Sequence, residues 1–103
     1  MIDGKKEGGC PLEIVQRMIG GKWKIAILWT LRETMRFSEL QRTFSGITQT
    51  MLTKQLRELE KDGLVHREIY REVPPRVEYS LTQTGVSFLP IVEKMCDWLE
   101  ENF

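Results

Sequence analysis

The chain has 103 residues, 41% of them hydrophobic and 29% charged, the balance of a single globular domain rather than a disordered or fibrous chain. No apolar run approaches the roughly 18 residues that cross a bilayer, and residues 1–9 lack an apolar segment of the signal-peptide kind. Two cysteines supply no disulfide framework, so an intracellular, cytoplasmic location is expected. Fifteen Lys and Arg balance fifteen Asp and Glu, but unevenly along the chain. Residues 1–47 carry eight basic against five acidic, residues 48–81 six against six, and residues 82–103 one against four. The acid is concentrated at the C-terminal end, and zero net charge does not exclude a polyanionic partner, which responds to the local basic face.

In chain order, residues 1–9 are polar, charged and Gly-rich and read as a flexible tail. Pro11 suits the first position of a helix, which makes Cys10 its N-cap. Leu12, Val15 and Ile19 then fall on one face before Gly20 and Gly21 end the helix. A second helix is expected over residues 22–33, with Trp23, Ile27, Leu28 and Leu31 inward and Trp29 off that stripe. A third is expected over residues 37–44, where Ser38 and Gln41 have capping-box spacing. After the short turn at Ser45 and Gly46, Ile47 and Leu52 have the spacing of a hydrophobic staple around a Thr48 cap. That cap opens a fourth helix over residues 48–62, with Leu52, Leu56 and Leu59 as its buried stripe and Gly63 as its stop.

From Leu64 the period turns from helical towards alternating. Residues 64–70 and 76–81 read as two strands, joined by Arg71-Glu72-Val73-Pro74-Pro75, whose prolines mark a loop rather than a central strand. Thr82 can cap a last helix that reaches Phe103, and Pro90, which lacks an N–H, should kink that helix or start a new one. The expected class is mainly α with a small β-hairpin, in one domain with no internal repeat.

The fourth helix carries its charges backwards. Carboxylates favour the positive N-terminal end of the helix macrodipole, and cations the other end. Here Lys54 and Arg57 come first, and Glu58, Glu60 and Asp62 come in the last turn and a half. Opposite the leucine stripe lie Thr50, Lys54, Arg57 and Lys61, with Thr53 at the edge and Gln49 near the start. Such a face fits something negative, and a DNA major groove admits an α-helix.

Four motifs in order carry a family resemblance. They are Cys10-Pro11-Leu12-Glu13, the stretch from Ile19 to Trp23, the stretch from Met51 through Leu64, and Pro75-Arg76-Val77-Glu78-Tyr79-Ser80-Leu81-Thr82. Together they resemble the HxlR family of bacterial winged helix-turn-helix transcription regulators, related to the MarR group, over residues 10–103. The resemblance implies a helix-turn-helix at residues 37–62, a wing at 64–81 and a C-terminal dimerisation helix at 82–103. It further implies a homodimer on double-stranded operator DNA, with the fourth helix reading the sequence.

On that reading Gln49, Thr50 and Thr53, near the end that enters the groove, are the better base readers, and Lys54 and Arg57 read guanine or hold phosphate. Arg71 and Arg76 flank the wing tip and reach a minor groove or backbone; the alternative is a hairpin ion pair to Glu72 or Glu78. Arg36, Ser38 and Arg42 are further phosphate candidates. Cys10, a thiol at a helix start, is a candidate redox sensor, although Glu13 opposes its ionisation; some members of the resembled family sense electrophiles or oxidants through such a cysteine. Cys96, between Met95 and Trp98 on an apolar helix face, reads as a small core residue. His66 and two distant cysteines have no metal-ligand spacing, so neither a metal nor a cofactor is expected, and no nucleophile–base motif suggests an enzyme. Trp23 and Trp29 read as core residues that could also line a small-molecule pocket near a dimer interface.

Projected as one helix, Phe88, Leu89, Ile91, Val92, Met95, Cys96, Trp98, Leu99 and Phe103 cover half the circumference, wider than the stripe of roughly 100° that faces one core. The surplus is expected to pack on a second copy. The expected function is a repressor of transcription that occupies a promoter as a homodimer, answering to a small-molecule or electrophile effector. The rival is a winged helix used only for protein–protein interaction.

Overall fold

The computed structural model describes residues 10–103, so the tail expected over residues 1–9 lies outside the described residues. The element order is α1 (Pro11–Ile19), α2 (Lys24–Thr30), β1 (Met35–Arg36), α3 (Phe37–Thr43), α4 (Gln49–Lys61), β2 (Val65–Tyr70), β3 (Arg76–Leu81) and α5 (Gln83–Asn102). Ile27, Leu28 and Leu31 from the α2 segment, Leu40 from α3, Leu52, Leu56 and Leu59 from α4, and Leu64 and Val65 at the start of β2 form one core. α4 therefore lies on the core along its leucine stripe and turns its other face out.

α1 starts at Cys10 with Pro11 in its first position, as the sequence implies, but contains no buried residue. Only Met18 and Ile19 rest against the core, while Leu12 and Val15 point to solvent, so the apolar face read from the spacing is split. α2 is shorter than the expected 22–33. The Arg32 amide reaches back to the Trp29 carbonyl at 3.2 Å and the Arg32 Nε donates to the same oxygen at 2.7 Å, which turns the chain out of the helix. Trp23 stands at the start of α2, edge-on to Phe44.

The turn out of α2 feeds β1, a strand the sequence did not reveal. Its two residues pair antiparallel with β3, Met35 opposite Tyr79 and Arg36 opposite Glu78. The sheet thus has three strands in the order β1-β3-β2, the hairpin register running from Val65–Leu81 to Tyr70–Arg76. Two residues are too few for an alternation to register. The cap of α3 also differs: Arg36, extended in β1, is the N-cap, and its amide donates to Glu39 Oε1 at 2.8 Å, so Ser38 lies inside the helix and does not pair with Gln41 as a capping box.

Gly46, at φ 87°, makes the turn between α3 and α4 in the left-handed region that favours glycine. Thr48 caps α4, its hydroxyl accepting from the Met51 amide at 3.1 Å. At the other end of the wing, Thr82 caps α5 by accepting from the Gly85 amide at 3.0 Å and itself donates to the Gly63 carbonyl at 2.6 Å. Gly85 lies so close to the Leu64 carbonyl that a Cβ would collide with it. α5 runs unbroken through Pro90, which does not start a new helix. Phe88 packs on the core and Val92 is buried, whereas Cys96 is exposed, contrary to its reading as a small core residue. The positions after Val92 have run past the core, and Met95, Trp98, Leu99 and Phe103 are exposed among the described residues. No helix among the described residues is long and apolar enough to cross a membrane.

Candidate nucleic-acid interface

The reversed charges of α4 acquire a cause in three dimensions. Each of its late acids is taken by a cation from another element: Glu58 by Lys24 of α2 at 2.7 Å, Glu60 by Arg67 of β2 at 3.1 Å, and Asp62, next to the helix end, by Arg17 of α1 at 3.3 Å. Lys54, Arg57 and Lys61 are exposed and have no carboxylate partner among the described residues. The acids secure the helix to its neighbours and the cations stay outside.

Gln49, Thr50, Thr53, Lys54 and Arg57, named from the sequence, border one open concavity of about 480 Å³ with Glu58. A second, of about 300 Å³, continues from Gln49, Thr53 and Arg57 to Arg67, Val77 and Tyr79 on the wing. Thr53 lies between the two and is half-buried. Glu60, paired with Arg67, borders the second concavity, and Glu58 is the acid at the rim of the first. A hydrogen bond from the Lys24 ammonium outweighs desolvation and holds its carboxyl below the usual carboxylate range. Its charge is thereby matched by a buried cation.

At the wing tip Arg71 is exposed with no ion pair among the described residues. Arg76 is engaged: it bonds Glu72 at 3.0 Å and also Glu78, and its guanidinium stacks 3.9 Å from the centre of the Tyr70 ring. The hairpin ion pair that the sequence left as an alternative is thus present. Hydrogen bonding to Arg76 also holds the Glu72 carboxyl below its ordinary range. Ser38 and Arg42 are exposed four residues apart on α3, and Arg36 is exposed on β1.

Lys24 is the residue that sequence reasoning missed. It is 5% exposed, donates to the Arg17 carbonyl at 3.2 Å and pairs with Glu58. The signal was there: positions 24, 27, 28 and 31 form one helical stripe, and a lysine on it needs a carboxylate inside. Cys10 is half-buried, its amide donating to Glu13 Oε1 at 3.4 Å. Trp29 and Cys96 border a concavity of about 440 Å³ between α2 and α5. Among the described residues no cluster of three or more His, Cys, Asp or Glu is placed to hold a metal ion.

A helix–turn–helix with an outward basic face, followed by a hairpin beside it, is a winged helix-turn-helix, and residues 18–103 match the HxlR-like helix-turn-helix family. The chain belongs to this family. An HTH-type transcriptional regulator of Methanothermobacter thermautotrophicus is 52% identical over 96 residues, covering 92% of this chain and 73% of its own length. Among solved structures, the redox regulator HypR in its oxidized form is similar with a TM-score of 0.82 at 52% identity, over 91% of this chain and 98% of HypR. The reduced form of the transcriptional regulator YodB from B. subtilis gives a TM-score of 0.82 at 32% identity, over 90% of this chain and 93% of YodB. Membership in the HxlR-like family makes this chain a helix-turn-helix transcriptional regulator.

Proposed function

We propose that the chain represses transcription by binding a pseudopalindromic operator as a homodimer in the cytoplasm, without catalysis. One observation carries the reading: every late acid of α4 is paired with a cation from another element, while Lys54, Arg57 and Lys61 are exposed with no carboxylate partner among the described residues. A module that binds only protein has no need of that arrangement. The N-terminal half of α4 enters the major groove, Gln49, Thr50 and Thr53 read base edges, and Lys54 and Arg57 hold guanine or phosphate. Arg42, Ser38 and Arg36 steady the backbone. Arg71 reaches from the wing, and Arg76 braces the tip through its two carboxylates.

The second copy docks on α5, where Ile91, Met95, Trp98, Leu99 and Phe103 are exposed, with help from Leu12 and Val15 of α1. Leu89 is half-buried, Val92 is buried in its own chain, and Cys96 lies at the edge of this surface. Thiol control through Cys10 fits the likeness to a redox regulator and the position of the thiol at the start of α1. A mobility shift with the DNA upstream of its own gene tests the reading. Native protein is expected to retard a specific fragment, and the Lys54→Ala, Arg57→Ala double variant to lose it. Equal retardation by both proteins would overturn the groove assignment.

A further inference from the structure

We infer that Lys24 is a positioning residue for the recognition helix, and that with the Arg17–Asp62 pair it forms the joint through which α1 acts on α4. The inference rests on the DNA-binding reading of α4 but concerns how that helix is held. The Lys24 ammonium is nearly sealed from solvent and has two acceptors on two different helices, the Arg17 carbonyl in the last turn of α1 and the Glu58 carboxylate of α4. Arg17 then returns from α1 to Asp62 at the end of α4. α2 is rooted by Ile27 and Leu28 in the core, so Lys24 is a fixed post to which both helices are tied.

α1 depends on this joint because it has little else among the described residues. No residue of α1 is buried, and only its last turn touches the core. An apolar contact slides at little cost, whereas a buried ammonium that loses an acceptor leaves an uncompensated charge. A shift of α1 therefore costs least when α4 follows it. Glu58 is also one residue from Arg57 and four from Lys54, on the rim of the reading face. The tie thus sets the angle of the helix at the position where base contacts are made.

The test uses the full chain with Lys24→Met, which fills the site without charge, and Arg17→Gln, whose exposed side chain can be changed without touching the core. Amide hydrogen exchange of the free protein is read in α1, α4 and the β2–β3 hairpin. Faster exchange in α1 and α4, with the hairpin unchanged, is expected in both variants. Uniform acceleration, or none in α4, would overturn the inference whatever the protein does with DNA. A second arm compares operator with non-specific DNA. Lys24→Met should keep non-specific affinity, since Lys54 and Arg57 remain, and lose roughly tenfold in discrimination, the size of one lost base contact. A parallel fall in both affinities would mark Lys24 as merely structural and overturn its positioning role. Native protein that discriminates no sequence would defeat the DNA-binding reading, and the exchange arm would still decide the joint.

Discussion

At the scale of single residues, charge placement explains more than charge number. Lys54 and Arg57 have no carboxylate partner among the described residues because Glu58, Glu60 and Asp62 are occupied elsewhere. If Arg57 reads a base, Arg57→Ala should cost about 1–3 kcal/mol of binding at one position of the site. If it holds phosphate, all sequences should weaken alike and the salt dependence should flatten. Titration of the operator at several salt concentrations separates the two. Glu58 also predicts a pH dependence. Among the charges facing it are Lys24, Lys54, Lys61 and Arg17, and Lys24 dominates. Because its carboxyl is depressed in the fold, the stabilisation is complete above its ordinary value of 4.5 and is lost as pH falls through the depressed value. Thermal melts of the native protein and Glu58→Gln should therefore differ near neutral pH and converge in acid; parallel curves would remove the pair from the pH response. For Cys10, diamide should change DNA binding of the native protein and leave Cys10→Ser unaffected. Equal responses would remove the thiol from control.

At the scale of elements, helix ends position the site. Thr48 satisfies the Met51 amide at the N-terminal end of α4, the end proposed to enter the groove, so Thr48→Ala should cost about 0.5–2 kcal/mol. Urea denaturation measures it. Gly85→Ala should cost about 1–3 kcal/mol through overpacking, because the new methyl meets the Leu64 carbonyl and pushes α5 off the wing. The helices and hairpin were legible in the sequence because leucines at helical spacing, prolines and glycines act locally. α4 came out within a residue at each end, since its cap, staple and terminal glycine all agree. β1 was not legible, because two residues gain strand geometry only from the partner β3. The cap of α3 was misplaced for the same reason, Arg36 being held extended by that pairing.

At the scale of the whole molecule, α5 carries apolar surface that no other described residue covers. Trp98 is 59% and Leu99 55% exposed, and Leu12 and Val15 of α1 are exposed as well. An isologous dimer through these faces would set two α4 helices about 34–36 Å apart, one turn of DNA. Trp98→Glu and Leu99→Glu should give monomers in sedimentation at micromolar concentration, with much weakened operator binding. A native monomer that binds a single half-site tightly would refute the dimer.

By itself the sequence determined the class of the fold, the fourth helix and its outward residues, because periodicity and capping depend on neighbours within a turn or two. It also carried the family, through motifs spread over residues 10–82. Only the tertiary structure decided which charges are free. Arg57 and Arg67 both border the concavity between α4 and the hairpin, but Arg67 is consumed by Glu60 seven residues away, and Arg76 is held by Glu72 and Glu78. The inward role of Lys24 and the exposure of Cys96 belong to the same category. Pairing and burial are set by which elements meet, and that depends on distances through space that spacing along the chain does not encode.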